Sequence, residues 1–146
     1  MRLIFDAEAF VALVDKHHPG QRLVRQALEA ARRVGADAVA PALVLAELFR
    51  GTAREAAVDA LLGREAIDIS DTDKRLAREV GRILAAAGRG SDYIVDAHVV
   101  AVAARTGGVV LTGDPDDMVA LTGTRPDITI EPIAGSAHRP RRRSRP

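Results

Sequence analysis

The sequence predicts an α/β domain with a mainly parallel central sheet of four or five strands flanked by helices. Two patterns carry that expectation: short apolar segments alternate with helix-patterned ones along nearly the whole chain, and acidic residues recur at the ends of apolar runs. Strands connected through helices pair in parallel and are covered on both faces. Ligands of such sheets collect at the carboxyl ends of the strands, beside the point where the strand order reverses.

The elements follow in order. Arg2 to Phe5 is a short apolar strand, and Ala7 to Val14 has helical character. Gly20 to Val34 carries Leu23, Ala27, Leu28, Ala31 and Val34 at spacings of three and four, an amphipathic helix stopped by Gly35. Ala38 to Ala40 reads as a second strand. Pro41 suits the first position of a helix that carries Leu43, Val44, Glu47 and Leu48 and ends at Gly51, and another helix covers Arg54 to Leu62. Ala66 to Ile69 is a third strand, after which Ser70, Asp71 and Thr72 offer caps for a helix over Lys74 to Ala87. Gly90-Ser91-Asp92 opens the helix that holds Asp96, closed by Gly107-Gly108. Val109 to Thr112 is a fourth strand, Asp116 to Leu121 a short helix, and Ile128 to Ile130 a fifth strand.

Composition narrows the function. A length of 146 residues with 47% hydrophobic side chains suits one globular domain, here residues 1–133, followed by a basic tail at 134–146. The absence of cysteine removes disulfides, thiolate zinc sites and cysteine nucleophiles. No apolar stretch is long enough to span a membrane, and Asp6 and Glu8 interrupt any signal-peptide pattern, so a soluble cytoplasmic protein is expected. Arg139, Arg141, Arg142, Arg143 and Arg145 give the tail a charge opposite to that of the net-acidic body. Prolines and clustered like charges favour disorder there, and the arginines suit attraction of a nucleic-acid backbone or plain solvation equally well.

Chemistry is carried by four carboxylates, Asp6, Glu47, Asp96 and Asp114, each set in or against an apolar run. A buried ionised carboxylate costs several kcal/mol unless a cation or strong donors compensate it. Asp96 stands out, since Ile94, Val95, Ala97, Val99 and Val100 leave it almost no solvated face. Taken singly, Asp6 reads equally as a helix cap and Glu47 as a surface partner of Arg50. Together they call for a divalent metal. Asp114 opens the cluster Asp114-Pro115-Asp116-Asp117, in which Asp117 and then Asp116 are the second and third choices, and Asp92 is an accessory four residues before Asp96. His98 is two positions from Asp96 and reads as structural, while His17 and His18 adjoin a loop at Pro19-Gly20.

These segments resemble the PIN-domain ribonucleases, in particular the VapC-type toxins of bacterial toxin–antitoxin pairs. The resemblance rests on Leu3-Ile4-Phe5-Asp6-Ala7, Ala46-Glu47-Leu48-Phe49-Arg50-Gly51, Asp96-Ala97-His98 and Leu111-Thr112-Gly113-Asp114-Pro115-Asp116-Asp117, in that order. It implies Mg²⁺ or Mn²⁺ at Asp6, Glu47, Asp96 and Asp114, with Thr112 and Asp117 near the site. It also implies an endoribonuclease acting on tRNA or another structured RNA, a VapB-like antitoxin partner and a homodimer. Hydrolysis by a metal-activated water follows from hard oxygen ligands, with Asp6 and Asp96 the best direct ligands. Glu8 departs from the small or hydroxylated residue many relatives carry two places after the first aspartate, and Ala7 lacks a common hydroxyl. Two rival readings remain: an inactive PIN-like nucleic-acid-binding module, and a receiver-like Mg²⁺-dependent phosphoryl-transfer domain.

Overall fold

In a computed structural model, residues 1–134 are described. They form a five-stranded sheet in the order β3-β2-β1-β4-β5, with every pairing parallel. The elements along the chain are β1 (Arg2–Phe5), α1 (Ala7–Val14), α2 (Gln21–Arg33), β2 (Ala38–Pro41), α3 (Ala42–Leu48), α4 (Ala53–Arg64) and β3 (Ile67–Ser70). They continue with α5 (Lys74–Ala87), a 3-10 turn (Ser91–Tyr93), α6 (Ile94–Thr106), β4 (Gly108–Thr112), α7 (Pro115–Thr122) and β5 (Ile128–Pro132). All five expected strands are present, and the expected tail lies outside the described residues except for Ala134.

The order places the reversal between β1 and β4. From β1 the chain steps outward to β2 and β3, then returns through α5 and α6 to the other side of β1 and steps outward again to β5. With right-handed crossovers, α1 to α4 cover one face and α5 to α7 the other. The last three pack mutually. Gly108 sets the start of the β1–β4 pairing, because a Cβ there would stand 2.2 Å from the carbonyl oxygen of Arg2. From that point the register runs Leu3 with Val109, Ile4 with Val110 and Phe5 with Leu111, so β4 ends one residue beyond β1.

The core follows from strands buried on both faces. Leu3, Ile4, Phe5, Val39, Ala40, Val110 and Leu111 are all buried. Phe10 of α1 meets Phe5 edge to face at 5.4 Å between ring centroids, and burying each ring contributes about 1.5–3 kcal/mol. Helix α6 packs against β1, β2 and β4, and every residue from Asp96 to Ala103 is buried. That accounts for its apolar surround: a helix enclosed by sheet and neighbouring helices has no solvated face to decorate.

Two local expectations are corrected. The cap of α5 is Asp73, whose carboxylate accepts from the Leu76 N–H at 2.7 Å, because Ser70 is still held in β3. Helix α3 is short, ending at Leu48, and Pro41 precedes it as the last residue of β2. No helix among the described residues is long and apolar enough to cross a membrane.

Candidate active site

Asp6 is the first residue past β1, and it caps α1. Its backbone N–H continues the ladder to the Leu111 carbonyl at 3.2 Å, which fixes where the side chain leaves the sheet. One carboxylate oxygen accepts from the Ala9 N–H at 3.2 Å and the other from the Gly113 N–H at 3.1 Å. The Thr112 hydroxyl also bonds to this carboxylate. Thr112 is fully buried at the end of β4, and its oxygen accepts the Asp114 N–H at 3.0 Å. One hydroxyl therefore ties the Asp6 carboxylate to the backbone of Asp114.

Electrostatics mark the same place. Burial pushes the Asp6 carboxyl up to about 7; hydrogen bonds from Thr112, Ala9 and Gly113 pull against that shift, and the negative charge of Asp96 adds to it. Asp96 is buried in the first turn of α6, where the positive end of the helix dipole favours a carboxylate. Two buried carboxylates from β1 and α6 thus act on one another at the reversal point of the sheet.

The other predicted residues are less enclosed. Asp114 is half-buried at the N-cap of α7 without a side-chain capping bond, Asp117 is half-buried in the first turn of that helix, and Asp116 is exposed. Asp92 is exposed in the 3-10 turn before α6. Glu47 is exposed, which corrects the expectation that its apolar run buries it. Helix α3 turns only Val44 and Leu48 into the core, and Glu47, three residues after Val44, stands at the rim of that face in solvent. Helix α3 nevertheless packs against α6 and α1, the helices that carry Asp96 and begin at Asp6.

Among the described residues no three His, Asp or Glu side chains gather closely enough to hold a metal ion by themselves. The buried pair Asp6 and Asp96 still fits a hard cation. Mg²⁺ is commonly bound through one or two carboxylates while keeping several waters, and a cation here would relieve the repulsion that helps raise the Asp6 pKa.

Two contacts escaped the sequence, the Glu8–His18 bridge and the Gly113 donor, whereas His98 is structural as expected. Glu8 does not crowd Asp6, because its carboxylate meets His18 Nε2 at 2.7 Å; His18 Nδ1 accepts the Gly20 N–H at 3.0 Å, so Nε2 carries the proton and donates. This bridge from α1 to the loop before α2 has no periodic signal. His98 is buried, as a structural histidine would be, with Nδ1 donating to the Ile94 carbonyl at 2.7 Å. The Gly113 N–H, a direct donor to Asp6, is a backbone group that residue type conceals.

Carboxylates meeting at the reversal point of an all-parallel sheet define an α/β protein whose acidic pocket suits a divalent cation. The PIN domain family model matches residues 3–121, and the chain belongs to that family. Its fold is similar to a chain of VapBC2 from Rickettsia felis bound to a DNA fragment from their promoter, with a TM-score of 0.63 and 17% identity over 90% of this chain and 98% of that one. It is likewise similar to a chain of VapBC-1 from nontypeable Haemophilus influenzae, with a TM-score of 0.56 and 18% identity over the same shares. No curated protein matches the sequence.

Proposed function

We propose that this PIN domain is a divalent-metal-dependent endoribonuclease and the toxin of a type II toxin–antitoxin pair, acting in the cytoplasm. The observation that carries the reading is the pairing of two buried carboxylates, Asp6 and Asp96, where β1 and β4 end side by side. Both would hold Mg²⁺ or Mn²⁺, with Asp114 and Glu47 completing the pocket directly or through water. The bound ion supplies Lewis acidity that makes water nucleophilic at neutral pH and stabilises charge on the phosphate.

The chain's own groups set the geometry. Thr112 and the Gly113 and Ala9 N–H groups hold the Asp6 carboxylate in one orientation. Asp117 and Asp116 add negative charge at the start of α7, and Asp92 does so before α6. Unpaired RNA enters a crevice more readily than duplex, so tRNA or another structured RNA with an exposed loop is the expected substrate. Attack by water at phosphorus with cleavage of the P–O3′ bond would leave a 5′-phosphate and a protonated 3′-hydroxyl. A VapB-like antitoxin would silence the pocket by inserting a guanidinium where the cation sits, and the toxin would act as a homodimer. The VapBC complexes among the structural neighbours support this partner class. Membership of the PIN family disfavours the receiver-like alternative.

Antitoxin-free protein is incubated with a panel of structured RNAs with Mg²⁺, with Mn²⁺ and with chelator, beside an Asp96→Asn control. Metal-dependent cleavage that leaves 5′-phosphates and disappears in the control is expected. Cleavage that survives in the control would move the chemistry elsewhere, and no cleavage with either ion would leave the inactive binding module as the better account.

A further inference from the structure

A groove of about 600 Å³ lies where α5, α6 and α7 meet, lined among others by Arg75, Arg82, Arg105 and Arg125, with Glu79 between them. A neighbouring hollow along α5, of about 620 Å³, shares Arg75, Glu79 and Arg82 and adds Lys74 and Arg78. Six cations thus line two adjoining hollows, against Glu79 and Asp73. This concentration stands on a body that is net negative: of 21 basic side chains five belong to the tail, and the remaining 16 face 20 acids.

The sequence and the packing build the row together. Arg75, Arg78 and Arg82 fall three and four residues apart, so they share one face of α5. Glu79 braces two guanidinium groups, accepting from Arg105 Nε at 3.0 Å and from Arg75 Nε at 3.3 Å. The Arg105 hydrogen bond is the main reason its carboxyl stays below the ordinary range, and Arg75 adds to the effect. Both hydrogen bonds use the Nε edge, and a terminal nitrogen of Arg105 also stands 3.9 Å from an Asp73 carboxylate oxygen. Arg78, Arg82 and Arg125 are exposed and, among the described residues, have no carboxylate at ion-pair distance.

We propose that this groove is a binding site for an RNA sugar-phosphate backbone, separate from the acidic end of the sheet. An open row of guanidinium groups from Arg75 to Arg82, roughly 10 Å long at 1.5 Å per helical residue, suits successive phosphates better than one enclosed anion. It also has a path to the chemistry. Helix α6 carries Asp96 near one end and Arg105 near the other, nine residues or roughly 14 Å apart, so one folded RNA can engage both ends. The inference rests on the RNA substrate proposed above and gives that substrate its anchoring surface.

The test uses the full chain with Asp96→Asn and chelator, a fluorescein-labelled RNA stem–loop, and anisotropy titrations at several salt concentrations. Charge reversal by Arg78→Glu with Arg82→Glu should weaken binding at least tenfold at low salt. It should also flatten the salt dependence by roughly 1.4, at about 0.7 per single-strand phosphate contact. Reversal of Arg22 and Arg54, exposed on α2 and α4, should cost much less. Equal losses from both pairs, or unchanged affinity and slope in a groove variant with an unaltered melting temperature, would overturn the proposal. So would absence of RNA binding by the parent, or a reversal that instead abolishes capture of a polyglutamate peptide. In the cleaving chain the groove reversal should raise KM and spare kcat. RNA binding lost on groove reversal in a chain that never cleaves would retain the groove and reject the nuclease reading.

Discussion

The two ends of α6 present opposite electrostatic problems. At its start Asp96 is buried beside a second carboxylate that burial drives up to about 7; at its end Arg105 is partly exposed, pairing with Glu79 at 3.0 Å within a row of cations. Charge in a low-dielectric interior is weakly screened and responds to protons and bound cations, whereas charge at a surface is screened within about 10 Å at 0.1 M salt. The acidic end should therefore be governed by pH and divalent ions, and the basic end by ionic strength. One helix carries both, so changes at either end can be read against the other as an internal control.

The sharpest break in that comparison is chemical. Asp96→Asn should lower single-turnover RNA cleavage by about a thousandfold or more, while the metal-free melting temperature holds or rises because a buried repulsion is gone. A variant that loses both activity and stability would make Asp96 a structural residue, and the acidic end would no longer be costly to the fold.

Next comes pH. The Asp6 carboxyl titrates near 7 in the folded chain against 3.8 as its ordinary value, so folding favours its protonated form. This contribution to stability is fully present below pH 3.8 and is lost as pH rises through 7, a change on the order of a few kcal/mol. Metal-free melting temperatures should accordingly fall between pH 5 and pH 8. Asp6→Asn should flatten that trend, and saturating Mg²⁺ should flatten it by favouring the ionised carboxylate. A parallel fall in all three samples would assign the trend to other groups.

Gly108→Ala tests the seam that holds the acidic end together. The added Cβ meets the Arg2 carbonyl at 2.2 Å, and displacing backbone in a packed sheet costs about 1–3 kcal/mol. Urea unfolding should register that loss, and divalent-ion affinity should fall with it if the alignment of Asp6 with Gly113 matters. The smallest effect belongs to the basic end. Glu79→Gln removes two solvent-screened ion pairs, with Arg105 and with the largely exposed Arg75, together worth about 1 kcal/mol or less. Because Arg105 holds this carboxyl below 4.5, its share is present above that pH, is lost as acid protonates it, and should shrink in high salt.

What sequence could reveal divides along similar lines. Asp6 and Asp96 were legible because each interrupts an apolar run that truly is buried, and the end of β4 was legible from Val109 to Thr112 followed by Gly113. Glu47 sits in a run that looks just as apolar, yet α3 is too short to be enclosed; sequence gives a segment's polarity, and only packing gives the number of its buried faces. The cap at Asp73 was missed because pairing of β3 with β2 extends that strand through Ser70. His18 and Glu8 meet across a loop whose path no period encodes. The apolar face of α5 defines that helix in the sequence and says nothing of its cations, which Arg105 and Arg125 join only through the mutual packing of three helices.

The bond from the Gly113 N–H to Asp6 joins residues 107 positions apart. During synthesis β1 is made before β2, and β2 before β3, so these can pair in turn, whereas the other neighbour of β1 follows only after α5 and α6. Contacts of such long range form late, after the entropy of closing a large loop has been met. A nascent or truncated chain that stops before β4 therefore carries both Asp6 and Asp96 and yet lacks the strand that aligns them. Topology postpones assembly of the acidic end until β4 has been made, so a chain that stops before it should lack an aligned pair of carboxylates.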